Sequence, residues 1–281
     1  MSTIVKKTID IGKKKIAVMA ERYNSANEVV ADCEKRKITD SDFEDVTKAT
    51  GWEWRGVESY EDALNLMRFG YQPTVEKLKG QLKVSRMGNG KRIAFVNDVV
   101  GAVPVVPLAL MGIPNSMIDM RMKPIKCKVV DVYYDMTMSC GTDSETIIAN
   151  GQKLLGAVLE LERQGYRFNL YGVQSYYRDD SADILTVRVK SANQPINLKR
   201  MSFPLTHTGF FRVIGFDWYS KTPEGKFRFG YGHALGYDLN DKDLREFGKK
   251  MFGDNAIYIA ASRMNDETEE HLKGVLSNDK G

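Results

Sequence analysis

The sequence predicts an α/β fold with a smaller, mainly helical N-terminal region. Val129 to Tyr134 is rich in β-branched and aromatic residues, which is typical of a buried strand. A long helix is predicted from about Ser144 to Gln164, because apolar residues recur there at helical spacing. Two more strands are predicted at Tyr166–Gln174 and Asp183–Lys190. The polar turn between them is short enough only for a hairpin.

Length and composition are those of a globular protein. The chain has 281 residues, of which 42% are hydrophobic and 28% charged. No run of about 18 apolar residues is present, and the first residues lack the apolar core of a signal peptide, so no membrane association is expected. Cys33, Cys127 and Cys140 are unevenly spaced, which predicts reduced thiols in a cytosol and argues against a zinc site. The net charge of +4 permits contact with nucleic acid without indicating it.

Residues 1–98 are predicted to form the mainly helical N-terminal region. A short hairpin is expected around Gly12, where isoleucines flank a lysine-rich turn, and a helix is expected over Asn24–Arg36. Another helix begins after Ser59, because Asp62 follows three residues later as in a capping box. A further helix begins near Pro73, a residue favoured in the first helical turn.

A basic run overlaps the end of this region. Its members are Lys77, Lys79, Lys83, Arg86, Lys91 and Arg92, against the single acid Glu76. With the aromatic residues Trp52 and Trp54, this run is the candidate patch for nucleic acid or an acidic partner. The alternative is a solvated basic face, with both tryptophans packed against the neighbouring helices.

Residues 99–125 form an apolar, proline-rich segment. Pro104, Pro107 and Pro114 prevent a continuous helix. Because so much apolar surface is unfavourable in water, we expect a buried connector with a short helix near Leu108–Met111. This connector would separate the N-terminal region from an α/β domain at residues 126–281.

The segment after the first strand of this domain carries a carboxylate and two hydroxyls. Alternate residues of an extended segment point the same way, so Asp135, Thr137 and Ser139 should converge at the carboxyl end of the strand. Open α/β sheets place ligands at that edge, and hard cations bind such oxygen atoms. The alternative is that these three residues cap the helix that follows.

This order of elements resembles the opening of the von Willebrand factor A fold. In that family the first strand ends in Asp-x-Ser-x-Ser, which holds a divalent cation, and Asp135-Met-Thr-Met-Ser139 resembles that motif. The resemblance covers roughly residues 126–276. It implies Mg²⁺, Mn²⁺ or Ca²⁺ as a cofactor. It also implies further ligands from a threonine (Thr206 or Thr208) and from a later polar residue (Asn265 or Asp266).

The whole chain is also similar to an uncharacterised family of bacteriophage and prophage proteins. The stretches that carry this similarity are Ser59-Tyr-Glu-Asp-Ala-Leu, Val103-Pro-Val-Val-Pro-Leu-Ala-Leu-Met-Gly-Ile-Pro-Asn-Ser-Met and Leu161-Glu-Arg-Gln-Gly-Tyr-Arg-Phe-Asn-Leu. The similarity implies a phage-encoded protein in a bacterial host cytoplasm and indicates no particular chemistry.

Other reactive residues give little indication of catalysis. No histidine lies where the sequence would place a base for Cys140, so this residue is expected to be an ordinary packed thiol. His207 is expected to be an exposed loop residue, and the alternative is that it contacts the same site as Thr206 and Thr208. No P-loop, nucleophile elbow or kinase motif is present.

The function favoured by the sequence is a non-enzymatic protein-interaction module. The sheet edge around Asp135 would contact a host or phage protein, and a bound cation would accept a carboxylate of that partner. The N-terminal region and the connector would form a homo-oligomer or a second partner surface. The alternatives are a nucleic-acid-binding protein that uses the basic run and a metal-dependent phosphodiester hydrolase.

Overall fold

The computed structural model describes residues 2–35, 52–78, 91–124, 128–163, 165–222 and 233–264. Within these ranges the chain forms two sheets flanked by helices, which confirms the α/β class. The strands are β1 (Thr3–Ile11), β2 (Lys14–Tyr23), β3 (Lys91–Asp98), β4 (Val103–Pro104), β5 (Met117–Pro124), β6 (Val129–Asp135), β7 (Arg167–Arg178), β8 (Ser181–Lys190) and β9 (Ala256–Ala260).

The described helices lie between these strands. The first five are α1 (Ala26–Lys35), α2 (Trp52–Arg55), α3 (Tyr60–Phe69), α4 (Gln72–Leu78) and α5 (Val106–Leu110). They are followed by α6 (Ser144–Arg163), α7 (Leu198–Thr206), a π-helix (Phe210–Gly215), α8 (Phe216–Ser220), α9 (Leu235–Asp238), α10 (Asp241–Phe252) and a 3₁₀ turn (Ala261–Arg263). In the part of the chain that the structure describes, no helix is long and apolar enough to cross a membrane.

The main sheet has the strand order β1-β2-β8-β7-β6-β9. The first predicted strand, β6, lies between β7 and β9 and is parallel to both. The predicted hairpin is confirmed, because β7 and β8 pair antiparallel, but β7 extends four residues further than expected, to Arg178. The turn is only Asp179 and Asp180, both with positive φ, so Ser175 lies in a strand and not in the turn.

The N-terminal hairpin is part of the same sheet. Strand β2 pairs in parallel with β8, with Ala17 opposite Ser181. The sheet therefore crosses the predicted division between residues 1–98 and 126–281, and the N-terminal region contributes strands as well as helices. Alternating burial of Ile16, Val18 and Ala20 shows why the hairpin could be predicted from its sequence. The partner strand could not, because no local signal specifies a pairing across such a distance in the chain.

Helices cover both faces of the main sheet. Helices α1, α3, α6 and α7 pack over one face, and α9 and α10 pack over the other. The contact between α6 and α7 requires a glycine, because a Cβ atom on Gly151 would lie 2.0 Å from the carbonyl oxygen of Leu205. Close packing at this point fixes α6, and therefore the loop that leads into it from β6.

The proline-rich connector is not buried, so that prediction is wrong. With the preceding strand it forms a three-stranded antiparallel sheet of order β3-β5-β4, which we call the small sheet, and its predicted short helix is α5. Large apolar side chains remain in solvent, including Val100 at 77% and Leu110 at 83% exposure. The sequence indicates how apolar this segment is, but hydrophobicity alone does not specify what covers it.

Candidate functional site

Asp135 forms the centre of a buried hydrogen-bond network at the carboxyl end of β6. Its carboxylate is fully buried. Oδ1 accepts a 3.0 Å hydrogen bond from the backbone N–H of Thr137. Oδ2 accepts from the hydroxyls of Ser175, at 2.5 Å, and Tyr258, at 2.7 Å. Both carboxylate oxygen atoms are therefore used by donors of the protein itself.

Strand register explains why these donors meet. Asp135 lies opposite Val173 of β7 and Ala260 of β9. Ser175 and Tyr258 are each two residues from those positions, so they lie on the same face as Asp135. Sequence reasoning missed both residues, because their proximity becomes evident only when the strand pairing is known.

Ser175 extends the network to two neighbouring loops. Its backbone N–H donates to Thr137 Oγ1 at 2.9 Å, and its hydroxyl accepts from the N–H of Leu235 at 3.0 Å. Thr137 is 3% exposed. The network thus joins the loop after β6 to the start of α9 across the end of β7.

Burial controls the ionisation of this network. Loss of hydration raises the pKa of Asp135, and the hydrogen bonds from Ser175, Thr137 and Tyr258 oppose that rise. Burial, together with the adjacent carboxylate of Asp135, also holds the pKa of Tyr258 well above its ordinary value. Tyr258 is therefore neutral and donates its hydrogen bond to a carboxyl group whose charged form is destabilised by burial.

Ser139 does not join this network. It is exposed, its backbone N–H donates to the Tyr237 hydroxyl at 3.1 Å, and its own hydroxyl accepts from the N–H of Gly141 at 3.4 Å. The loop after Thr137 therefore turns towards solvent. The predicted convergence of all three oxygen-bearing residues is wrong in this respect, because the extended conformation ends at Asp135.

The buried side chain of Arg212 holds the loop between β6 and α6 in place. Arg212, on the π-helix, donates to the carbonyl oxygen atoms of Thr142, at 2.5 Å, and Trp54, at 2.7 Å. Its guanidinium carbon lies 4.4 Å from the centroid of the Trp54 ring, a cation–π contact. Burial lowers the pKa of Arg212 to about 10. The Trp54 ring donates to the carbonyl of Cys140 at 2.8 Å, so this tryptophan holds the loop from one side.

Thr206 lies in a different hydrogen-bond network. It is in helix α7 and not in a loop, because Pro204 is accommodated inside that helix. The Thr206 hydroxyl lies 2.9 Å from that of Thr74 and donates to the carbonyl of Ser202 at 2.8 Å. Thr208 donates to the carbonyl of Arg55 at 3.1 Å. Asn265 and Asp266, the other implied ligands, lie outside the described residues.

His207 is buried, so the prediction of an exposed loop histidine is wrong. Its ring contacts Tyr71 at 4.5 Å and Phe203 at 5.1 Å between centroids, and Nδ1 accepts from the N–H of Gly209 at 3.0 Å. Burial lowers its pKa to about 4. His207 is therefore a neutral core residue at ordinary pH. Cys140, in contrast with the packed thiol expected, is exposed.

The donor set does not fit a divalent cation bound by Asp135. A hard cation needs several oxygen atoms that are free to coordinate it, usually with water in the remaining positions. Asp135 and Thr137 are buried and hydrogen-bonded within the sheet, Ser139 is turned away, and Thr206 is bonded to Thr74. Among the described residues, no group of three or more histidine, cysteine, aspartate or glutamate side chains could hold a metal ion.

The predicted basic patch falls mainly outside the described ranges. Lys79, Lys83 and Arg86 lie there, Lys77 is exposed on α4, and Lys91 and Arg92 begin β3. Trp52 is in α2, and Trp54 is half-buried and contacts Arg212 and Phe216. The residues that can be placed therefore leave the patch as a prediction from sequence.

The fold and the site define an α/β protein with a closed carboxylate network at the edge of its main sheet. The chain belongs to the family described as a domain of unknown function, DUF7192, whose model matches residues 6–279. No curated protein and no solved structure matches the chain.

Proposed function

We propose that the chain is a non-enzymatic protein-interaction module, encoded by a phage and acting in the cytoplasm of a bacterial host. Its contact surface is the exposed end of the main sheet at which β6 and β9 terminate. We call this surface the rim and define it by Ser139, Cys140, Gly141, Tyr237 and Arg263, which are all exposed. The partner is a host or phage protein, as the sequence favours.

The observation that carries the proposal is the closed network around Asp135. A catalytic carboxylate must reach a substrate, whereas both oxygen atoms of Asp135 accept hydrogen bonds from buried groups of the protein. His207, which could act as a base, is also buried. Asp135 and His207 are therefore structural groups, and the exposed groups of the rim are suited to recognition.

Rigidity of the rim supports the same function. Arg263 donates to the carbonyls of Gly236, at 2.6 Å, and Leu239, at 2.7 Å, and so fixes the short helix α9, which carries Tyr237. Arg212 and Trp54 fix the opposite loop. A surface that is ordered before binding loses less conformational entropy when a partner docks.

The connection of the strands supports the likeness to the von Willebrand factor A fold. Strand β6, the crossover helix α6 and the hairpin β7–β8 follow in the order on which the resemblance rests, and a later strand, β9, returns beside β6. We propose this likeness for the fold and for the position of the partner-binding surface at the carboxyl ends of the strands. It does not include a cation at Asp135, because the oxygen atoms there are already used.

Site-specific photo-crosslinking in bacterial cells that carry the phage genome tests the proposal. A benzophenone amino acid at Ser139 and at Tyr237 should each crosslink the same discrete protein, because both positions belong to the rim. The same probe at Lys242, an exposed residue of α10, should not crosslink that protein. Crosslinking to nucleic acid, or different proteins from the two rim positions, would overturn the proposal. Phosphodiester hydrolysis by the purified protein that Asp135→Asn abolishes would also overturn it.

A further inference from the structure

The small sheet ends in an uncharged apolar segment. Strands β3 and β5 pair antiparallel, and Asp98 lies opposite Met117 at the end where the chain passes from one strand to the other. We call this connecting segment, residues 99–116, the tip. It contains no charged residue, and apart from Asn115 and Ser116 it consists of apolar residues, glycine and proline. Contiguous apolar surface of this kind, where it is exposed, marks an interaction site.

The apolar side chains of the tip are exposed within the part of the chain that the structure describes. No residue of the tip is buried. Neither the strands of the small sheet nor α5 packs extensively against another described element. The large side chains that the tip exposes include Val99, Val100, Val106, Leu110, Met111 and Ile113. Because such a surface is unfavourable in water, we expect an apolar environment to cover it.

Helix α5, within the tip, is apolar on every side. Its sequence is Val-Pro-Leu-Ala-Leu, and none of its residues is buried. A helix that binds in a groove of another protein has one apolar stripe and a polar opposite side, whereas a helix that is apolar all round is typical of protein interiors and of lipid. The tip therefore fits a medium that surrounds it better than a partner that contacts one side of it.

The backbone of the tip forms hydrogen bonds within the small sheet. Hydrocarbon contains no partner for a free N–H group, so internal hydrogen bonding is a requirement for insertion into a bilayer. The three prolines of the tip, Pro104, Pro107 and Pro114, have no N–H group. The N–H groups that donate to carbonyl oxygen atoms of the tip or of β5 include those of Ala102, Val105, Ala109, Met111, Gly112 and Ile113.

The two strands behind the tip have a positive net charge. Strands β3 and β5 contain four basic residues and two acidic ones. Both acidic residues, Asp98 and Asp119, form ion pairs with Arg121. The other basic residues are Lys91, Arg92 and Lys123. An uncharged apolar segment followed by net positive charge complements a membrane surface, in which hydrocarbon lies beneath anionic headgroups.

We propose that the tip inserts into the surface of a phospholipid bilayer that contains anionic headgroups. Insertion by about 5–10 Å places the apolar side chains at the boundary of the hydrocarbon and requires no segment that crosses the bilayer. The proposal differs from the expectation drawn from the sequence, which considered only membrane-crossing segments and signal peptides. The tip is separate from the rim, so this binding does not depend on the function proposed there.

Vesicle flotation with the full-length protein tests the proposal. The wild-type protein should float with vesicles of phosphatidylethanolamine and phosphatidylglycerol, and less with vesicles of phosphatidylcholine, which have no net charge. Leu110→Glu should lower the partition coefficient by at least about tenfold, because it takes a charge into the apolar boundary. Phe69→Glu is the matched control, since Phe69 on α3 is 62% exposed and lies outside the small sheet. It should leave the partition coefficient unchanged.

Fluorescence makes the test independent of the effect of a charge. When the same vesicles are added, Leu110→Trp should gain, relative to the wild type, an emission that shifts to shorter wavelength and is quenched by lipids brominated in their acyl chains. Phe69→Trp should gain no such emission. Circular dichroism and the thermal midpoint of each variant establish that it is folded.

Two results would overturn the proposal. A wild-type protein that stays unbound with both kinds of vesicle would assign the tip to a protein partner. Flotation that Leu110→Glu leaves unchanged would mean that surface charge alone attaches the protein to the vesicles.

Discussion

The hydroxyl of Tyr258, on β9, donates a 2.7 Å hydrogen bond to Oδ2 of Asp135, on β6. The same oxygen atom accepts a hydrogen bond from Ser175 on β7, so one carboxylate joins three neighbouring strands. All of these groups are buried. An unmade hydrogen bond is therefore costly at this point, and the network stabilises the sheet edge that supports the rim.

Removal of the Tyr258 hydroxyl should destabilise the protein. Tyr258→Phe takes one donor from a buried carboxylate and should lower the free energy of unfolding by about 2 kcal/mol. Tyr134→Phe is the matched control on the adjacent strand, because its buried hydroxyl has no hydrogen-bond partner among the described residues. That variant should be as stable as the wild type or slightly more stable. Urea unfolding measures the free energy of unfolding of both variants. Equal losses of stability in the two variants would contradict the role given to Tyr258.

The stability that depends on Asp135 should fall as the pH rises. Burial raises the folded-state pKa of this carboxyl above its ordinary value of 3.8, so the unfolded chain loses the proton first. The stabilisation contributed by Asp135 is complete below pH 3.8, the ordinary pKa, and is lost as the pH rises through the folded-state pKa. The stability advantage of the wild type over Asp135→Asn should therefore shrink from pH 4 to pH 7.

The control is Asp10→Asn, which makes the same substitution at an exposed position. Thermal unfolding at a series of pH values measures both variants against the wild type. An advantage of the wild type over Asp135→Asn that grows with pH would mean that hydrogen bonding, and not burial, controls this carboxyl group.

Divalent cations should not change the stability of the protein through Asp135. A ligand that binds only the native state raises the thermal midpoint by mass action, but the oxygen atoms of Asp135 and Thr137 are already hydrogen-bonded. We expect the same midpoint in EDTA, Mg²⁺, Mn²⁺ or Ca²⁺. A rise with one of these cations that Asp135→Ala abolishes would restore the cation site implied by the resemblance.

Acid should destabilise the protein through His207. Burial lowers its pKa to about 4, so its contribution is present above the ordinary value of 6.5 and is lost as the pH falls towards 4. The loss from this residue should be about 3 kcal/mol. His207→Asn can still accept from the N–H of Gly209 and should lack this part of the decline. His233→Asn, at an exposed position, should retain it. Denaturant unfolding at pH 7, 5 and 4 checks the difference.

Elements with strong local signals could be predicted from the sequence. The hairpin around Gly12, the capping box at Ser59 and the strand that ends at Asp135 are confirmed. In each case neighbouring residues carry the information, as alternating burial, as a cap or as a run of β-branched and aromatic residues. The position of Asp135 at the carboxyl end of β6 could be predicted from the same kind of local signal.

Relationships between distant segments could not be predicted. The sequence predicts a turn at Ser175, because polar residues within a buried strand do not show the usual alternation of apolar residues. Its contact with Asp135 depends on strand register, which the sequence does not specify. The exposed connector shows the same limitation, since its apolar residues predicted burial but contained no information on what would cover them.

The parallel pairing of β2 with β8 has a consequence for the order in which the protein folds. Ala17 lies opposite Ser181, so the N-terminal hairpin leaves the ribosome long before the strand that it joins has been made. The loop that this contact closes is long, and contacts of this kind slow folding. During synthesis the hairpin has an open edge that can pair with another nascent chain. We therefore expect misassembly in cells to depend on how fast β8 is translated, and chaperones that bind early chains to raise the yield.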